Sequence, residues 1–248
     1  MRYFIYLEFD GTAYCGWQIQ PGAPSVQESL ERSLFTFLRE PVSVTGAGRT
    51  DAGVHAKLMV AHFDLAEERD CQWMKAKLNG ILPPDIAVHR IVPVRPDAHA
   101  RFDARRRTYL YYVSLDKSAF NRSYSWHMTN EPDFGLMNQA ALKLLDTVDF
   151  TSFSKLHTDT KTNNCHVTEA SWRRLDDGRW VFRISADRFL RNMVRAIVGT
   201  LMQVGRHQIT LDEFQQVIDS RDRCRAGDSA PAHGLFLADI DYPENLFL

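Results

Sequence analysis

The sequence has no stretch of about 18 consecutive apolar residues, so we expect no transmembrane helix. Its first residues, MRYFIYLEFDG, lack the long apolar run and the small-residue cleavage site of a secretory signal peptide. The four cysteines form no CxxC pair, and no histidine spacing completes a zinc site. We therefore expect a cytoplasmic protein with reduced thiols, no membrane association and no bound metal.

The chain also lacks an overall basic excess, because its net charge is -1. Two segments differ from this average. Residues 88–107 hold six arginines and two aspartates, and residues 173–195 hold seven arginines and three aspartates. Arginine grips phosphate with paired hydrogen bonds and stacks on bases, so both segments fit an RNA partner. Two solvated surfaces would have the same composition, and charge alone leaves both interpretations open.

Hydrophobic periodicity predicts two successive series of strands and helices. Strands are expected at 2–9, 42–47, 57–64 and 86–94 in the first half, and at 107–115, 166–175, 179–187 and 234–242 in the second. Helices are expected after the cap at Ser25, at 71–82, 134–146 and 188–204, and after the cap at Thr210. Both halves then follow the order βαββαβ.

The predicted fold class is α+β, with two tandem ferredoxin-like units that share a largely antiparallel sheet with a central cleft. We place an N-terminal unit at 1–105 and a C-terminal unit at 106–248. Such units often bind RNA, although the same topology serves unrelated functions. The polar stretch 157–166, HTDTKTNNCH, is predicted to be an exposed loop.

The loop GAGRTDAGVHA, residues 46–56, surrounds Arg49 and Asp51 with small residues. It is not a phosphate loop, because GxGxxG would need glycine where Asp51 stands, and GK[ST] is absent. Small side chains would let a flat ligand lie against the backbone. A neighbouring guanidinium would favour the ionised carboxylate, which can act as a nucleophile. A surface hairpin turn with a weak Arg–Asp pair is the competing interpretation, and His55 is expected to be a packed residue.

The same loop resembles the active-site motif of the TruA-type tRNA pseudouridine synthases. The resemblance continues through EFDGTAYCGWQIQPGAPSVQESLE (8–31), FDARRRTYLYYV (102–113), DFTSF (149–153), RFLRNMVRAIVGTLMQVG (188–205) and GLFLADIDY (234–242). These segments cover nearly the whole chain in the family's order, so the resemblance implies the pseudouridine synthase fold.

The resemblance implies conversion of uridine to pseudouridine in the anticodon arm of tRNA, at positions 38–40. Asp51 takes the position of the family's nucleophile, and Arg49 that of the arginine that pairs with it and holds the flipped nucleotide. Tyr109 matches the tyrosine that stacks on the target base and assists proton removal. The family works as a homodimer that cradles tRNA, and the resemblance implies no metal or organic cofactor.

Two further features of the second half fit RNA binding. Tyr109 and Tyr111 are expected on one face of a strand, where an aromatic can stack on an extruded base, although a core aromatic would have the same pattern. Arg188, Arg191 and Arg195 have the spacing of one helix face. The stripe would be solvated in an ordinary protein, but it becomes a candidate substrate contact if it faces the cleft.

Two other function classes remain open on the residues alone. A tRNA-binding or remodelling protein without catalysis would share the folding units and basic segments. A small-molecule hydrolase would act on free nucleosides and would be insensitive to salt, whereas RNA binding through phosphates weakens steeply as salt rises. The residues also leave three routes open for Asp51: attack at C6, attack at C1′, and formation of a glycal.

Overall fold

A computed structural model describes residues 1–155 and 162–248. Residues 157–161 of the predicted polar loop lie outside this range. The chain divides into two compact units, Met1–Arg105 with Leu237–Leu248, and Arg106–Phe236. The sequence analysis assigned residues 237–248 to the second half, whereas in the structure they lie in the first unit. The fold class is α+β, with mostly antiparallel strand pairing and five α-helices in the described residues.

The first unit contains the series β1 (Arg2–Phe9), α1 (Val26–Leu38), β2 (Thr45–Gly46), β3 (His55–Asp64), α2 (Cys71–Ile81) and β4 (Ile86–Val94). Its strands lie in the order β4-β1-β3, with β2 also paired to β3. β1 pairs antiparallel with both neighbours. Six of its eight residues are apolar or aromatic, and Phe4, Ile5 and Leu7 are fully buried, which explains why RYFIYLEF does not alternate.

Capping side chains account for where the helices of this unit begin, and the cap at Ser25 was predicted from the sequence. The Ser25 side chain accepts a hydrogen bond from the Glu28 amide at the start of α1. α2 begins after Asp70, whose carboxylate accepts from the Trp73 amide. The strand predicted at 42–47 is shorter, since only Thr45–Gly46 pairs with β3.

The second unit contains β5 (Arg106–Ser114), β6 (Trp126–His127), α3 (Phe134–Leu142), β7 (Val167–Arg174), β8 (Trp180–Ala186), α4 (Met193–Gly205) and α5 (Leu211–Ser220). Strand β8 pairs antiparallel with both β5 and β7, and the short β6 pairs parallel with β5. Gly178, at φ 83°, allows the tight turn between β7 and β8. Thr210 and Glu213 form the complete capping box of α5. The last strand, β9 (Leu235–Asp241), begins in this unit and ends in the first.

Two helix predictions in this unit were wrong at one end. The helix predicted at 188–204 begins at Met193, because Asn192 has the left-handed φ of 64° and interrupts any helix before it. The helix predicted at 134–146 ends at Leu142. There the amides of Lys143, Leu144 and Leu145 each bond to the carbonyl three residues earlier, which tightens the chain into a turn.

None of the helices in the described ranges is long and apolar enough to cross a membrane.

Candidate active site

The loop with Asp51 and Arg49 connects β2 to β3 in the first unit. The Asp51 side chain is half-buried, whereas Arg49 is exposed. The loop is closed by a turn in which the Val54 amide donates to the Asp51 carbonyl oxygen at 3.1 Å. Gly53 in this turn has φ 75°, a conformation that glycine adopts without strain.

The segment of residues 10–17 supports this loop through its backbone. The Gly53 amide donates to the Tyr14 carbonyl oxygen at 3.2 Å. Gly16 has φ 93°, and a Cβ there would lie 2.2 Å from the Thr50 carbonyl oxygen. The two backbones therefore approach too closely for any side chain at position 16, and they fix the residue before Asp51.

Burial also fixes the Tyr14 side chain at this support. The Tyr14 hydroxyl donates to Asp85 Oδ1 at 2.7 Å. Burial, together with that hydrogen bond, raises the pKa of Tyr14 to about 12, so the phenol stays protonated at neutral pH. The contact keeps the 10–17 segment in place under the loop.

The small residues of the loop serve two different purposes. Gly46 packs on the Trp17 indole, because a Cβ at position 46 would lie 2.5 Å from Trp17 Nε1. A Cβ at Gly48, in contrast, would meet no atom within 4 Å. Gly46 therefore permits internal packing, while Gly48 leaves open space beside Arg49.

Thr50 distinguishes this loop from an ordinary surface hairpin. Its side chain is buried, and its hydroxyl oxygen has no hydrogen-bond partner among the described residues. Surface turns keep such hydroxyls in water, whereas a buried unsatisfied hydroxyl costs about 1–3 kcal/mol. The burial of Thr50 therefore differs from what a solvated surface turn would have.

His55 is a packed residue, as the sequence analysis expected. Its side chain is 1% exposed, and its Nδ1 lies 3.0 Å from the Gly11 amide nitrogen and 3.0 Å from Asp10 Oδ1. Since Nδ1 accepts from the Gly11 amide, His55 fixes the start of the supporting segment. Its role is structural, at the base of the loop.

Tyr109 lies on β5 in the second unit, opposite Ile184 of β8. The tyrosine is half-buried, and its ring forms a T-shaped pair with the Phe189 ring, with 5.0 Å between the centroids and an interplanar angle of 84°. This contact holds the ring in a defined orientation. Tyr111 is a core residue instead, since it is fully buried and its hydroxyl donates to the Pro231 carbonyl oxygen at 2.9 Å.

The predicted arginine stripe is not a helix face. Arg195 lies on α4, but Arg188 and Arg191 precede the helix. Asn192, with its left-handed φ, separates Arg188 and Arg191 from Arg195. Residues spaced three and four apart therefore do not share a helix face there. The one-face argument for Arg188, Arg191 and Arg195 was therefore wrong, although each arginine remains a candidate substrate contact by itself.

Arg195 is positioned by the segment after α5. Its Nε donates to the Ala230 carbonyl oxygen at 2.7 Å, and the Ala230 amide donates to the Arg195 carbonyl oxygen at 3.0 Å. These two bonds fix the start of the side chain on the first turn of α4.

Several other arginines of the basic segments form ion pairs. Arg95 binds Asp97 at 2.6 Å, and Arg183 binds Glu169 at 2.8 Å. For these residues the interpretation as ordinary surface charge is favoured over RNA contact.

The structure therefore places the predicted site residues in two groups. Asp51 and Arg49 belong to the first unit, whereas Tyr109 and the three arginines belong to the second. Sequence reasoning missed Phe189, which supports Tyr109. No local pattern gave a signal for this contact, because it joins two residues that are distant along the chain.

The similarity of this chain to known proteins extends over nearly its whole length. A family model described as tRNA pseudouridine synthase matches residues 5–103 and 140–243. The chain is 58% identical to the tRNA pseudouridine synthase A of Bacteroides thetaiotaomicron, over 99% of this chain and 92% of that protein. It is 54% identical to the protein of the same name from Porphyromonas gingivalis, over 100% of this chain and 99% of that protein. The corresponding protein of Acetivibrio thermocellus is 42% identical, over 96% of this chain and 98% of its own length.

Proposed function

We propose that this chain, which belongs to the tRNA pseudouridine synthase family, converts uridines at positions 38–40 of the tRNA anticodon arm to pseudouridine. Pseudouridine synthases are isomerases, because substrate and product contain the same atoms. The observation that carries the proposal is the position of Asp51, half-buried in a loop held by close backbone contacts. That arrangement presents a carboxylate at a fixed place, as a nucleophile requires.

The proposed reaction exchanges one bond to the sugar for another. The bond between N1 of uracil and C1′ of ribose breaks, the base turns, and a bond between C5 and C1′ forms. A proton leaves C5, and N1 gains one, so no electron is transferred to or from the nucleotide. The protein must therefore retain the detached base and move one proton.

Asp51 takes the central role in this reaction. Its carboxylate attacks C6 of the base, attacks C1′ of the sugar, or removes a sugar proton to give a glycal. Each route needs the target uridine outside its stack, and extrusion costs a few kcal/mol. Arg49 is exposed and adjacent to the open space at Gly48, which suits a side chain that holds the nucleotide in the extruded position.

Tyr109 supplies the aromatic surface for the extruded base. Stacking of a base on an aromatic ring contributes about 1–3 kcal/mol, which offsets much of the cost of extrusion. The contact with Phe189 holds the Tyr109 ring in a defined orientation for this role. The Tyr109 hydroxyl assists removal of the C5 proton, and Arg188, Arg191 and Arg195 bind phosphates.

The proposal also covers the fold, the oligomeric state and the cellular location of the protein. We propose that the fold consists of two tandem ferredoxin-like units that share a largely antiparallel sheet with a central cleft. The strand order β4-β1-β3, with β2 on the far side of β3, supports a ferredoxin-like first unit. The protein acts in the cytoplasm as a homodimer that holds tRNA across both subunits.

The test is a site-resolved assay on unmodified tRNA. The protein is incubated with tRNA that carries 5-tritiated uridine, released tritium is counted, and pseudouridine is mapped along the molecule. We expect release and pseudouridine at positions 38–40, and no release from a control tRNA with cytidine at all three positions and label elsewhere. Tight binding without release would support the non-catalytic tRNA-binding alternative, and product outside the anticodon arm would contradict the proposed position.

A further inference from the structure

Phe102 is an apolar residue that the proposed reaction does not use. Its side chain is 74% exposed, in a turn between β4 and β5. The neighbouring Arg101, Arg105 and Arg106 are also exposed. An isolated exposed apolar residue is common, but one inside a cluster of cations has the composition of an RNA contact.

The Phe102 ring is the outermost of three rings in series: His62 and His99 form a T-shaped pair, and His99 packs at a tilt against Phe102. The centroids of His62 and His99 are 4.5 Å apart, and those of His99 and Phe102 are 4.3 Å apart. The Arg101 guanidinium carbon lies 5.6 Å from the centroid of the Phe102 ring. The His62 imidazole is buried, so these two ring contacts anchor the phenyl ring to the core while most of that ring stays in solvent.

Hydrogen bonds hold the turn that carries His99 and Phe102. His99 Nδ1 accepts from the amides of Arg101 at 3.1 Å and Phe102 at 3.4 Å. The His99 amide donates to Asp103 Oδ2 at 2.7 Å, and His62 Nδ1 accepts from the Ala100 amide at 3.1 Å. The exposed ring is therefore fixed before any partner arrives, which reduces the entropy lost on binding.

We propose that Phe102 stacks on an unpaired base of the tRNA other than the target uridine, while Arg101 binds an adjacent phosphate. The inference rests on the proposed function, since it requires tRNA as the substrate. A preformed aromatic surface beside cations suits bases of any identity, because every base has a π face. Phe102 then strengthens tRNA binding and helps to position the tRNA, without taking part in the chemistry.

Substitutions at Phe102 test the stacking contact through tRNA affinity. Phe102→Ala should weaken binding by about 5- to 100-fold, Phe102→Trp should restore it, and Phe102→Leu should not. The matched control is Phe120→Ala, since Phe120 is 90% exposed and belongs to the second unit. That control should bind tRNA as the wild type does. Thermal unfolding of each variant shows whether the turn is still folded.

The salt dependence of binding separates the two side chains. Arg101→Ala should reduce the slope of log affinity against log salt by about one, because one phosphate contact is lost. Phe102→Ala should leave the slope unchanged, because stacking releases no counterions. The two variants together identify a base contact beside a phosphate contact.

Three outcomes would overturn the inference. They are wild-type affinity in Phe102→Ala, rescue of affinity by Phe102→Leu, and a change of oligomeric mass in Phe102→Ala, which would identify a contact between subunits. If Phe102→Ala unfolds, the inference is tested by comparing the tRNA affinities of Phe102→Trp and Phe102→Leu, which keep a large side chain on His99. Tritium release by the wild type is measured in parallel. Its absence would contradict the proposed function, whereas release with unchanged Phe102→Ala affinity would contradict this inference alone.

Discussion

The loop at 46–56 and the segment at 188–195 are held in different ways. Backbone groups hold the loop: its Gly53 amide binds the Tyr14 carbonyl, and Gly16 approaches the Thr50 carbonyl without room for a Cβ. Side chains hold much of the second segment, as in the bond of Asn192 to Ser229 at 2.6 Å and that of Arg195 to Ala230.

The difference matches the tasks that we assign to the two segments. A nucleophile needs a fixed position, and a misplacement of about 1 Å can cost about 100-fold in rate. A guanidinium that binds phosphate tolerates adjustment, because its long side chain can move to meet the ligand. We therefore expect large effects from changes in the loop and at Tyr109, and small effects from changes in the arginine segment.

Tyr109 gives the largest expected effect among these changes. Tyr109→Phe keeps the ring on Phe189 but removes the hydroxyl, so turnover should fall by about 10²- to 10⁴-fold while tRNA affinity changes little. Single-turnover product formation and a binding titration measure the two quantities. The control is Tyr111→Phe, which removes a core hydroxyl and should lower the free energy of unfolding by about 1 kcal/mol without slowing turnover. Equal turnover in Tyr109→Phe and the wild type would contradict the proposed role of the Tyr109 hydroxyl in proton transfer.

Gly16→Ala tests the backbone support of the loop. The new Cβ would lie 2.2 Å from the Thr50 carbonyl oxygen at a left-handed φ, so the loop must move. We expect turnover to fall by about 100-fold and the free energy of unfolding by about 2–4 kcal/mol. Gly80→Ala is the control, since a Cβ on that α2 residue meets nothing within 4 Å and should raise stability by up to about 1 kcal/mol. Wild-type turnover in Gly16→Ala would show that this contact does not position Asp51.

The first unit should also lose stability in acid through His62. Burial, with a contribution from His99, lowers the pKa of His62 from 6.5 to about 4. The unfolded chain thus binds the proton more readily, and this part of the stability, present above pH 6.5, is lost as the pH falls toward 4. We expect a loss of about 1–3 kcal/mol between pH 7 and pH 4.5, measured by urea unfolding. His62→Asn should have a smaller loss over the same range, and an equal loss in the two proteins would contradict the assignment.

The arginine segment should give the smallest effects. Arg191→Gln should weaken tRNA binding by up to about 10-fold and reduce its salt slope by about one, with turnover of bound tRNA unchanged. Arg195→Gln should also lower stability, because the bond to Ala230 is lost. Binding at several salt concentrations measures both variants. A loss of turnover as large as that of Tyr109→Phe would remove the distinction between the two segments.

Local signals in the sequence predicted much of this fold. Ser25 and Thr210 indicated helix starts correctly, because a capping side chain and its amide lie within three residues. The start of α4 was not predictable in this way, since the apolar and basic spacing continues through Asn192 and nothing local announces its positive φ. The place of residues 237–248 in the first unit depends on distant contacts, such as the Arg105 amide on the Asp241 carbonyl.

In the candidate site, too, local features could be predicted from the sequence and contacts between distant residues could not. The loop around Asp51 could be identified from the sequence, because its small residues and its charged pair are contiguous. The support at Gly16 and the edge contact at Phe189 could not, since each depends on residues that are distant along the chain. The exposure of Phe102 likewise appears only in three dimensions.

The most direct test of the account is tritium release by Asp51→Asn, with tRNA affinity measured on the same protein. The substitution keeps the size of the side chain and removes its charge. We predict affinity close to that of the wild type and no detectable release from 5-tritiated uridine in tRNA. Release at the wild-type rate would show that Asp51 is not the nucleophile.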